Sequence, residues 1–164
     1  MSQQELLSTL RDLRFLHDIA EEYLQQIVKV ATLVEFPTGH VIFRDGEPTA
    51  NIYLMVDGKV SLEVCAPGRG CQRILTVGTG ELLGWSPLLE QTRSTATARA
   101  ITPVRAVAIN GGQVLSLCEH NPQLGFEFMR STALALAQRL SATRMQLLDV
   151  YGEQIPLVTE RNGE

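Results

Sequence analysis

Apolar residues recur three and four positions apart from Glu5 to about Val30: Leu6, Leu10 and Leu13, then Leu16, Ile19, Tyr23 and Ile27. That spacing predicts an amphipathic helical region, broken near Phe15 to Asp18. The period then shortens. From Thr32 onward, β-branched runs alternate with turn signals at Pro37-Thr38-Gly39, Asp45-Gly46, Asp57-Gly58 and Gly68-Arg69-Gly70, and closely spaced antiparallel strands are expected. Asp57-Gly58 is the strongest of these signals, because both residues tolerate the left-handed backbone of a two-residue loop. It predicts a hairpin joining "NIYLMV" to "KVSLEV". "TATARAI" and "VRAVAI" resume the strand pattern, with Pro103 between them at an edge or bend. About eight short strands point to a barrel or jelly roll.

From Gly112 the pattern turns helical again, and Asn121-Pro122 is a cap and first-turn pair that opens one long helix to about Val150. Within it, Met129, Ala133, Leu136, Leu140, Thr143, Leu147 and Val150 alternate four and three apart, the seam of a two-stranded coiled coil. A second stripe, Leu134, Ala137, Met145 and Leu148, lies round the helix from it. Two apolar faces need two covers. One is expected to dock on the strands and the other to meet its counterpart in a homodimer; a single wide core face is the alternative. The fold class is therefore mainly β with flanking helices: a double-stranded β-helix (jelly roll) with N-terminal helices and a long C-terminal helix. One domain is expected over 1–151, with N-terminal helices at 1–32, a β-roll at 33–110, C-terminal helices at 112–151 and a tail at 152–164.

Composition narrows the functions. A chain of 164 residues, 45% hydrophobic and 20% charged, fits one self-sufficient globular domain. A net charge of −4, from 18 acidic and 14 basic residues, gives no general attraction to nucleic acid or an anionic membrane, and neither partner is expected. Arg130, Arg139, Arg144 and Arg161 form no cluster and are expected on a solvated helix face. No window has the length and apolarity of a signal peptide or membrane span. Cys65, Cys71 and Cys118 make an odd count with no Cys-x-x-Cys pair, which argues against a disulfide framework or a zinc site. Reduced, mostly buried thiols in a cytoplasmic protein are expected, although Cys65 and Cys71 flank a turn and could come close.

The stretch "GTGELLGWS" offers backbone N–H groups in a glycine-containing turn, a nest suited to an anion, and Arg93, Ser94 and Thr95 would add a planar fork and hydroxyls. A plain surface turn is the competing interpretation. Ser86 and Ser94 have only the dispersed His17, His40 and His120 as possible bases, so no catalytic triad is expected, and the chain is expected not to be an enzyme. The same dispersal argues against metal ligation.

The order of elements, together with "GHVIFRDGE", "YLMVDGKV" and "GELLGW…TRSTATARA", resembles the cyclic nucleotide-binding domain of the catabolite-activator and fumarate-nitrate regulator superfamily, from about residue 10 to 151. The resemblance implies a phosphate cassette whose glycine-turn amides and arginine hold a cyclic phosphate and whose glutamate holds the ribose hydroxyl. Gly80, Glu81, Leu83 and Gly84 match that cassette. Trp85 stands in place of the glutamate, which removes the acceptor for the ribose 2′-OH at a cost of about 1–3 kcal/mol. Ser94 occupies the arginine position and Arg93 lies one residue early, a shift that turns a strand side chain to the other face. Candidate ligand residues are thus Leu83, Gly84, Trp85, Ser86, Arg93, Ser94 and Thr95, with Thr143 reaching from the long helix toward a base. Trp85 either encloses a ligand or fills the pocket itself. "YGEQIPLVTERNGE" is too short and acidic for the helix-turn-helix that usually follows in such regulators. The expected function is a dimeric sensor of a cyclic nucleotide or another small anion; the alternative is a ligand-free adaptor for a partner protein.

Overall fold

The computed structural model describes residues 2–89, 93–154 and 156–158. Arg161 and part of the loop before Arg93 lie outside the described residues. Eight strands make two antiparallel four-stranded sheets: β1 Ala31–Phe36, β2 Val41–Phe43, β3 Asn51–Asp57, β4 Val60–Ala66, β5 Gly70–Val77, β6 Leu82–Leu83, β7 Thr97–Ala100 and β8 Val104–Asn110. The strand orders are β1-β8-β3-β6 and β2-β7-β4-β5, so among the described residues β4 and β5 are the only consecutive strands that share a sheet. Every other connection between strands crosses from one sheet to the other, which makes the domain a jelly roll.

The hairpin expected at Asp57-Gly58 is one of those crossings. β3 pairs with β8 and β6, whereas β4 pairs with β5 and β7. Gly58 has φ 98°, and a Cβ there would lie 2.3 Å from the Pro103 carbonyl oxygen. The Lys59 N–H donates to Thr102 Oγ1 and the Ile101 N–H to the Lys59 carbonyl. The turn is therefore pressed against the corner at residues 101–103, where β7 passes to β8. A local turn signal specifies backbone shape but not which strand will pair, and long-range packing decided that here.

Two cores result. Phe43, Met55, Val60, Leu62, Leu83, Ala98 and Ala106 fill the space between the sheets. Ile52, Leu54, Val107 and Ile109 project from the other face of the first sheet onto the helices. Those helices are α1 Gln3–Asp12, α2 Glu21–Ile27, α3 Gly111–His120 and α4 Pro122–Tyr151, with a 3₁₀ turn Arg14–Leu16 at the expected break. Ser2 and Glu5 form a capping box at α1. Phe15 meets Phe128 edge to face at 5.4 Å, fastening α4 to the N-terminal segment.

Three expectations are corrected. The stripe Leu134, Met145 and Leu148 does not dock on the strands; these side chains are exposed, and α4 packs through Leu124, Phe128 and Thr132 instead. All ten residues from 141 to 150 are exposed; Ala142 and Thr143 still border cavities shared with β5, and the helix leaves the body beyond them. Asn121 does not cap α4 with its side chain, whose Nδ2 donates to Gln26 Oε1 and to the Leu117 carbonyl, joining α2 to the end of α3. Cys65 and Cys71 are not buried thiols. They lie opposite each other on β4 and β5, and they form a disulfide. The tight turn between the strands sets them face to face, so the thiol count gives no argument about compartment. Cys118 is free and buried.

Candidate functional site

β6 and the loop after it are held by the backbone of β3. The Gly80 N–H donates to the Met55 carbonyl at 2.8 Å, the Met55 N–H to the Glu81 carbonyl at 3.0 Å, and Glu81 Oε2 accepts from the Gly78 N–H at 3.1 Å. The Gly78 and Gly80 amides are thus committed to the protein, which leaves the continuation of the loop as the place for an anion. Gly84 makes that continuation possible. Its φ is 77°, and a Cβ there would sit 3.2 Å from Phe43 Cε1. Only glycine allows the loop to lie this close to the inner core.

A cavity of about 180 Å³ opens beside Gly84. The loop supplies Gly84, Trp85 and Ser86, the segment just before β7 supplies Ser94, Thr95 and Ala96, and α4 supplies Arg139 and Thr143; Phe43, Thr49, Leu62, Ile74 and Leu75 complete the wall. Six of the eight expected ligand residues therefore meet at one place. Leu83 does not. It is fully buried between the sheets and pairs with Tyr53 in the ladder, so its role is packing. Arg93 does not either. Its Nη1 donates to the Gly46 carbonyl at 2.7 Å, while the Ser94 N–H donates to the Glu47 carbonyl, and the strand pleat sends the two side chains to opposite sides.

Ser86 and Ser94 are almost fully buried where they border this cavity. Serine hydroxyls on a cavity wall are donors that an anionic ligand can use. Trp85 is half-buried, and its ring packs on the helix-side core against the cluster that includes Leu88 and Phe128, leaving the cavity unfilled. His17, His40 and His120 lie elsewhere: beside Asp18, stacked on Phe36, and bonded to the Ser116 carbonyl. They face neither serine.

Arg139 is the residue that sequence reasoning missed. It was expected on a solvated face, but it is half-buried, and its Nη2 donates to the Leu82 carbonyl. Burial pushes its guanidinium below the usual arginine range, partly offset by the nearby Glu81 carboxylate. Among the described residues it is the one charged group lining the cavity. A signal existed: Arg139 is four residues before Thr143, and positions four apart share a helix face. A second cavity, of about 250 Å³, lies on the other side of the same side chain, between α4, Arg14 and Gly80.

The model of the cyclic nucleotide-binding domain matches residues 33–121. The chain is 32% identical over 124 residues to a CRP-like cAMP-activated global transcriptional regulator of Mycobacterium tuberculosis, covering 75% of this chain and 53% of that protein. It thus spans about half the length of that curated relative. The catabolite activator protein of Thermus thermophilus has a similar fold, with TM-score 0.66 and 26% identity over 84% of this chain and 62% of that one. A cyclic nucleotide-binding domain from Methylobacillus flagellatus KT aligns with TM-score 0.76 over 96% of this chain and 86% of that one; at 18% identity it supports the fold alone. With the jelly roll, the glycine-shaped loop and the α4-lined cavity in place, the chain belongs to the cyclic nucleotide-binding domain family.

Proposed function

We propose that the chain is a regulatory binding module that takes a small phosphate-bearing anion of the cyclic nucleotide class between the Gly84–Ser86 loop, the segment just before β7 and α4. One observation carries the proposal: Ser86 and Ser94 border a cavity whose one charged lining residue, among those described, is the half-buried Arg139. A half-buried cation and hydroxyl donors on one wall form an anion site. Arg139 takes over, from α4, the charge that an arginine on the β7 side would have supplied. Among the described residues no acidic side chain lines the cavity to accept a ribose hydroxyl, so recognition rests on the phosphate and on the Trp85 ring.

The same module is a homodimer through α4. Leu140, Leu147 and Val150 of the seam are all exposed in the single chain, on a helix that stands clear of its own body. Arg139 and Thr143 lie where the helix leaves that body, so a ligand touching them acts on the orientation of the dimerising segment. Binding would thereby be converted into a change of subunit geometry.

A titration with cyclic AMP, cyclic GMP and linear AMP, followed by calorimetry and thermal unfolding, tests the binding. A ligand at 100 times its dissociation constant should stabilise the fold by about 2.7 kcal/mol. No heat and no shift with any of the three would overturn the anion-binding proposal. They would favour the second reading, a ligand-free dimeric adaptor. The small cavity supports that alternative, since about 180 Å³ is below the roughly 300 Å³ at which ligand pockets usually begin.

A further inference from the structure

The outer face of the sheet β2-β7-β4-β5 carries a polar cluster that ligand binding does not use. Along β4, Val60 and Leu62 point into the inner core, so Ser61, Glu63 and Cys65 share the opposite face. Cys71 stands across from Cys65 on β5. A carboxylate oxygen of Glu63 and the two cysteine sulfurs lie within 4.8 Å of one another.

Glu63 is held at one end only. Its Oε1 accepts from Ser61 Oγ at 2.9 Å and from Arg99 Nε at 3.3 Å. Oε2 is buried and has no hydrogen-bond partner. An orphaned carboxylate oxygen is costly in a folded chain, and a ligand that satisfies it recovers that cost. Bonds to Oε1 that orient a carboxylate while leaving its second oxygen free are the usual supports of a metal ligand.

We propose that, once its disulfide is reduced, this cluster is a binding site for a soft divalent cation of the Zn²⁺ type, with Cys65 and Cys71 thiolates and Glu63 Oε2 as donors. A dithiol reductant passes two electrons to the disulfide: the S–S bond breaks, the reductant's two thiols close to its own disulfide, and their two protons move to the cysteine sulfurs. Zn²⁺ then displaces two protons and forms two Zn–S bonds and one Zn–O bond. Two sulfurs and one oxygen suit four-coordinate zinc with one position left for water. Thiolates select zinc over magnesium or calcium, which prefer oxygen alone. The formal charge of three donor anions is partly balanced by Arg99, bonded to Glu63, and by Arg73, opposite it in the ladder. The same two strands supply Leu62, Ile74 and Leu75 to the ligand cavity, so the cation would brace the hairpin that forms one of its walls.

The test is a Co²⁺ titration of the full chain reduced with a phosphine, followed by competition with Zn²⁺. The expected result is one Co²⁺ per chain, with a thiolate-to-cobalt charge-transfer band that Zn²⁺ abolishes. The disulfide form should give no such band. Cys65→Ser and Cys71→Ser should each remove it, Glu63→Gln should weaken binding at least 10-fold, and Cys118→Ala should leave it unchanged. Circular dichroism of each variant checks that the fold persists; Cys71 is exposed at the edge of the roll, so its replacement leaves the core intact. Absence of a stoichiometric band from the reduced wild-type chain, or equal affinity in folded Glu63→Gln, would overturn the proposal.

Discussion

The two halves of α4 are alike in composition but differ in circumstance. The first half buries Leu124, Phe128 and Thr132 against α3 and the 3₁₀ turn, whereas the second half holds Leu140, Leu147, Leu148 and Val150 in solvent. An apolar side chain left exposed gains nothing by ordering, and the proposed dimer would supply the cover that the second half lacks in the single chain. Arg139 and Thr143 sit at the junction. A ligand there touches the helix where intrachain support ends, which is where a small free energy has the most leverage on the helix's direction.

The covered half of α4 should show the largest effect. Phe128→Ala should cost about 3–5 kcal/mol in urea unfolding, since a fully buried ring in edge contact with Phe15 leaves a cavity. A loss below about 1 kcal/mol would mean that this half is not the anchor. In the uncovered half, Leu140→Asp with Leu147→Asp should raise the dimer dissociation constant by about 100-fold or more by sedimentation, from two buried side chains lost per subunit. The same pair should leave the unfolding of an already dissociated chain within about 0.5 kcal/mol. An unchanged sedimentation profile would place the interface elsewhere.

At the junction, Arg139→Leu should weaken a cyclic nucleotide by about 10- to 100-fold in calorimetry, the worth of a hydrogen bond to a charged group. Arg93→Leu should leave affinity unchanged, because its guanidinium is turned to Gly46. The reverse order of effects would return the phosphate to the Arg93 side. The smallest effect concerns the sugar: 2′-deoxy cyclic AMP should bind within about 3-fold of cyclic AMP, since no carboxylate among the described residues lines the cavity to reward the hydroxyl, whose hydrogen bond would otherwise contribute about 1 kcal/mol.

Legibility followed the range of the interaction. The break between α1 and α2, the turns, the strands and the long helix were readable because each depends on spacing along a few residues. The one-residue offset of Arg93 was readable too, since strand alternation is local. Arg139 was not, because its burial depends on α4 crossing Leu82, 57 positions away, which no local pattern encodes. Cys65 and Cys71 were misjudged for a related reason: their spacing allowed proximity, but only the pairing register of β4 and β5 set them opposite each other.

From the residues alone, then, came the element order, and from the family resemblance the match of Gly84 and the mismatch of Trp85 to the phosphate cassette it implies. These are properties of single positions and short periods. Tertiary packing decided that Asp57-Gly58 crosses between sheets, that Trp85 forms a wall and leaves the cavity unfilled, and that α4 presents Arg139 to that cavity. Each of those outcomes balances contacts between segments far apart in the chain, and the free energy of such contacts exists only once the fold has brought them together.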